Sequence, residues 1–143
     1  MALPNQKFRE IVFQALFSQI FLPCAPEDYI ALIAKQLKVS RLNVKTAIAY
    51  ADKVLEQQPL LDEKINRAAH SYKLVRIGKV ELAILQLAVF EIYFEKKLQP
   101  KISIAEAVRL ARKFSTRESA DFINAVLDFV YQQYQQENHA NKS

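Results

Sequence analysis

Apolar residues recur along this chain at helical spacing, and prolines and small hydroxyl residues punctuate them. Phe8, Val12, Ala15, Leu16 and Gln19 share one face of a first helix, roughly residues 5–20, with Phe13 and Phe17 on its other side. Pro23 to Pro26 close that helix, and Pro26 suits the first turn of a second, to about residue 38. Ser40 is a natural cap for a third helix reaching about Gln57, and Pro59 opens a fourth that ends near residues 70–73. Residues 77–95 carry two apolar stripes: Val80, Ile84, Leu87 and Phe94 on one, Leu82, Leu85, Val89 and Ile92 on the other. A helix apolar nearly all round belongs at the centre of its fold. Residues 96–101 read as a loop broken by Pro100, after which Ser-Ile-Ala-Glu from Ser103 has the form of a capping box opening a helix to about Phe114. Thr116 caps a last helix, expected to reach about Gln135 and leave a fraying polar tail from about residue 136. Seven helices and no convincing strand predict an all-α, single-domain bundle in two packed subdomains, the last three helices gathering around the central one.

Composition sharpens this picture. The 143 residues suit one domain with a real core. Gly occurs once, at Gly78, too rarely for the tight turns of a β-rich fold. The single cysteine, Cys24, makes no internal disulfide, and the N-terminus lacks the layout of a signal peptide. The most apolar stretch, residues 82–90, is too short for a membrane span and contains Gln86. The expectation is a cytoplasmic protein with no membrane association.

Charge is placed unevenly. Residues 96–117 hold seven basic side chains (Lys96, Lys97, Lys101, Arg109, Arg112, Lys113 and Arg117) and one acid, Glu106, against a whole-chain net charge of +5. A polyanion partner fits this cluster, and so does a solvated basic helix face. No catalytic constellation accompanies it. His70 stands alone, His139 lies in the tail, and a single Gly builds no phosphate loop or Rossmann turn. Glu81 and Glu91 lie about 15 Å apart along a helix, too far for a paired acid and base, and Glu91 is expected to serve inside the fold. Neither a metal nor another cofactor is expected.

Binding features are sharper. In the last helix Ile123, Val126, Leu127, Val130 and Tyr134 form the core stripe. Phe122 falls well to one side, near Phe129, and Asn124 further round. An aromatic ring beside cations suits single-stranded RNA, the ring stacking on a base and the cations meeting phosphates. The same spacing also suits a Phe122 packed on a neighbouring helix. Lys7 and Arg9 interleave with Phe13 and Phe17 in a comparable way, and there too burial between helices is the competing reading.

Residues 76–128 closely resemble the NusB family of transcription antitermination factors. The runs that carry the likeness are RIGKVELAILQLAVFEIYF, the proline-led LQPKISIAEAVRLARKF, and ESADFINAVLD; Arg9, Gln14, Ala15, Leu16 and Phe17 echo the family's N-terminal pattern. The middle of the chain matches only in length and helicity. The resemblance implies a non-enzymatic, all-helical protein that binds the single-stranded boxA element of ribosomal RNA transcripts. It implies NusE, a small-subunit ribosomal protein, as partner, and action on the transcription elongation complex to promote read-through by RNA polymerase. It implies RNA contacts at Lys7, Arg9, Gln14, Phe122 and Asn124, supported by Arg112, Lys113 and Arg117 of the basic cluster, and partner contacts at Phe17, Arg76 and Glu81. The chain departs from the family where NQKFRE is poor in arginine, where Ala105 stands for the usual Asn and Ala125 for the usual Gly, and where Val12 stands for a small Ala. A helical interaction module or self-associating form with an incidental basic face is the alternative. The RNA-binding domain of a ribosomal RNA methyltransferase is disfavoured, since no methyltransferase domain follows. Monomer and homodimer both remain open.

Overall fold

A computed structural model describes residues 5–21, 26–71, 77–96 and 98–142. Among them the chain forms helices α1 (Asn5–Phe21), α2 (Pro26–Leu37), α3 (Arg41–Glu56), α4 (Gln58–Ser71), α5 (Lys79–Phe90), α6 (Pro100–Phe114) and α7 (Arg117–Lys142), and no strand. A π-helical turn, Glu91–Glu95, continues α5. Cys24, Arg76 and Lys97 lie outside the described residues. Contacts divide the chain into two compact units, Met1–Glu56 and Gln57–Ser143.

In the N-terminal unit α3 packs on α1 and α2. Ser40 caps α3 as expected, its Oγ accepting the Asn43 N–H at 3.1 Å. Val44, Ala47, Ala51 and Val54 give α3 one buried face, and Ile11, Val12 and Leu16 of α1 and Ile33 of α2 are buried with it. Phe8 meets Tyr50 edge-on, ring centroids 5.8 Å apart. Arg9, Glu10, Ile11, Val12 and Phe13 are buried in succession, so of the two readings open for Phe13 the structure takes burial.

In the C-terminal unit α5 packs on α4, α6 and α7. Every residue of 83–92 is buried, which is why the helix needs apolar side chains on all sides. Gln86 and Glu91 are the polar exceptions, and Gln86 Nε2 donates to Asp62 Oδ1 at 2.9 Å. At the end of α5 the ladder widens: the Lys96 N–H bonds Glu91 O at 3.1 Å, an i to i+5 step, and Lys96 closes the turn in the left-handed region at φ 54°. The added residue rotates Phe94 off the core stripe assigned to it from spacing, and it stands 39 % exposed.

The start of α6 is a second correction. Pro100 occupies the first turn after an extended Gln99, and the Ser103 N–H bonds Gln99 O at 3.3 Å, so the helix begins three residues before the expected cap. Ser103 is buried and its Oγ donates to Glu91 Oε2 at 2.9 Å, which places Glu91 inside the fold as expected. Thr116 does cap α7, accepting the Ser119 N–H at 3.1 Å. The helix then continues past Gln135 to Lys142 instead of fraying. Lys64 Nζ donates to Glu137 Oε1 at 2.7 Å, and Tyr93 meets Tyr134 edge-on at 5.0 Å, so α4 and the π turn hold the end of α7.

Candidate nucleic-acid interface

The C-terminal unit gathers most of the residues singled out from sequence around one end of α5. Gly78 caps the helix with extended backbone, and Glu81 occupies the third helical position. There its carboxylate is near the positive end of the helix dipole. Glu81 Oε1 also accepts a hydrogen bond from Ser115 Oγ at 3.0 Å, and Ser119 Oγ bonds to the same oxygen. Ser115 closes α6 and Ser119 lies in the first turn of α7, so one carboxylate pins the α6–α7 turn to the start of α5. Burial pushes the Glu81 carboxyl up, but the bonds from Ser119, its own backbone N–H and Ser115 outweigh it and hold the group below its ordinary range. A Cβ at position 78 would meet that carboxylate, so a larger residue there requires the Glu81 side chain to shift.

Around this pin the turn presents Arg112 and Lys113 from the end of α6 and Arg117 from the start of α7, all exposed. The Lys113 ammonium lies over the Phe114 ring, 5.7 Å from its centroid. Phe122 is half-buried and Asn124 exposed, beside the buried stripe of Ile123, Val126, Leu127 and Val130. Arg109 Nε instead donates to Glu106 Oε2 at 2.7 Å, within α6. Arg112, Lys113, Arg117, Phe122 and Asn124 therefore stand on the two helices joined by the turn that Glu81 holds.

The N-terminal candidates belong to the other unit. Lys7, Gln14 and Phe17 are half-buried on α1, and Phe17 lies 6.3 Å from Phe13, ring to ring. Arg9 is only 8 % exposed, which favours burial between helices, one of the two readings its spacing allowed, over an open surface contact. Arg76, assigned to partner binding, lies outside the described residues. Sequence reasoning missed Ser115 and Ser119 as partners of Glu81. The usable signal was Glu81 itself, an acid three residues after a helix-starting glycine. Among the described residues no group of three His, Cys, Asp or Glu side chains is arranged to hold a metal, and no helix is long and apolar enough to cross a membrane.

The NusB family model matches residues 6–132, both units included. The chain belongs to the NusB family. Among its relatives, the transcription antitermination protein NusB of Chlamydia pneumoniae is 34% identical over 128 residues, 90% of this chain and 80% of that protein. The protein of the same name from Dehalococcoides mccartyi (strain CBDB1) is 34% identical over 130 residues, 91% of each. T. maritima NusB superposes with a TM-score of 0.72 at 26% identity, covering 92% of this chain and 93% of that one. The antitermination factors NusB and NusE have been crystallised with double-stranded RNA, and a chain of that structure matches the fold with a TM-score of 0.74 at 21% identity, over 91% of this chain and 97% of its own.

Proposed function

We propose that this NusB-family chain is a non-enzymatic transcription antitermination factor of the cytoplasm. It binds boxA-type RNA of ribosomal RNA operon transcripts together with NusE and promotes read-through by the RNA polymerase elongation complex. The observation that carries the RNA reading is the cationic turn between α6 and α7, where exposed Arg112, Lys113 and Arg117 stand on the helices that carry Phe122 and Asn124. Cations supply the salt-sensitive, sequence-independent part of RNA binding, and a ring at their edge supplies stacking on an unpaired base. In this reading Phe122 and Asn124 meet bases while Arg112, Lys113 and Arg117 meet phosphates. Lys7 and Gln14 of α1 are further RNA contacts in this reading, with the buried Arg9 beside them on the same helix. Phe17, Arg76 and Glu81 are assigned to NusE binding.

The roles separate by substitution. Phe122→Ala is expected to weaken binding of a boxA-type RNA by about 1–3 kcal/mol with the fold intact by circular dichroism, the range for losing one stacked base. Unchanged affinity would place Phe122 in the core instead. Glu81→Lys is expected to weaken NusE binding in a pull-down while the chain stays folded; undiminished capture would remove Glu81 from that interface.

A further inference from the structure

The exposed face of α6 runs from the cationic turn to the far end of the helix, with cations at both ends and Ile102 and Ala105 between them. Taking about 100° per residue, Lys101, Arg112 and Ala105 lie within about 40° of one another, and Arg109, Ile102 and Lys113 follow within about 120°. Lys101, Ile102, Ala105, Arg112 and Lys113 are exposed, Ile102 by 44 %. The one acid on this side, Glu106, is taken up by Arg109. The Ser103–Glu91 hydrogen bond brings the start of α6 against the π turn, which is where Phe94 is turned outward. The Phe94 ring backs onto the buried Phe90 ring, centroids 5.4 Å apart and planes 28° apart, and exposed Lys96 follows it.

An outward aromatic ring, braced from behind and followed along the chain by the exposed lysines Lys96 and Lys101, offers what a single-stranded nucleic acid uses: a ring for a base and cations for phosphates. About 16 Å of α6 separates Lys101, at the start of the helix, from Arg112 at the turn. We propose that the α6 face and Phe94 form a second single-stranded RNA contact, which extends the RNA path from the α6–α7 turn down the length of α6. This rests on the RNA reading of the turn and adds Phe94, Lys96 and Lys101 to it. The π turn is what creates the contact, since unbroken α-helical register would return Phe94 to the core.

The test compares RNAs of about 6 and about 14 nucleotides, the shorter one chosen because Phe122→Ala weakens it, so that only the longer one spans both ends of α6. Phe94→Ala and Lys101→Glu are each expected to reduce affinity for the longer RNA about fivefold or more and leave the shorter unchanged, and Lys101→Glu is expected to flatten the salt dependence by about one phosphate contact. Lys101 is exposed, so its variant reads binding even if Phe94→Ala disturbs the fold. Equal affinity of wild type and both variants for the longer RNA overturns the proposal while leaving the turn intact. Loss of NusE binding with unchanged RNA binding overturns it in favour of a protein contact. Failure of the wild type to bind either RNA overturns both this proposal and the reading it rests on.

Discussion

At the scale of single residues, Glu81 ties the helix termini of the C-terminal unit together. Its carboxylate sits in the first turn of α5 and takes hydrogen bonds from two serines on the neighbouring helices. The folded pKa is depressed below the ordinary carboxylate value of 4.5. The stability it contributes is therefore present above that value and is lost as pH falls through the lower folded value. Glu81→Gln is expected to lower stability near neutral pH by about 1 kcal/mol and to make thermal unfolding less sensitive to acid below about pH 4.5. Melting curves from pH 7 to about pH 3 check this, and parallel acid profiles for wild type and variant would contradict it. The position of Glu81 three residues after Gly78 was a local signal in the sequence, but its partners were not legible: Ser115 and Ser119 lie 34 and 38 residues away and depend on how α6 and α7 return. Arg9 is a second case. Its spacing left surface contact and burial between helices equally open, and only the packing around α1 reveals that it is buried.

At the scale of elements, starts and stops written in neighbouring residues were legible. Ser40 and Thr116 cap α3 and α7 because each hydroxyl needs only an N–H three residues on. Where two local signals competed, the stiffer one won: the fixed φ of Pro100 starts α6, and Ser103 is left as a buried donor to Glu91. The π turn had no proline or glycine to announce it, so the position of Phe94 was misread. The length of α7 was misjudged because its support comes from distant residues, Lys64 and Tyr93. Burial and the nearby Glu137 carboxylate push the Tyr93 phenol above its usual range, so it stays neutral at this junction. Truncation after Gln135 removes the Lys64–Glu137 pair and is expected to cost about 1 kcal/mol, a drop of several degrees in Tm for a chain of this size. An unchanged Tm would show that the last turns of α7 contribute nothing to the unit.

At the scale of the whole molecule, the all-helical class followed from apolar spacing and the scarcity of glycine. The division into two compact units, one of three helices and one built round α5, follows from the two sets of apolar faces. Membership of the NusB family rests on a match that spans both units. The basic segment 96–117 was legible as charge alone; the fold turns it into an ordered surface, with its exposed cations on α6, at the turn into α7 and beside the π turn. If that surface meets RNA, affinity must fall steeply with salt, since each phosphate contact on a single strand contributes a slope of about −0.7 in log affinity against log salt. The most direct measurement is therefore the affinity of this chain for a boxA-type RNA, with and without NusE, at two salt concentrations. Expected is binding that NusE strengthens and that weakens at the higher salt by a slope equal to several phosphate contacts. Absence of RNA binding even with NusE present, or binding indifferent to salt, would contradict it.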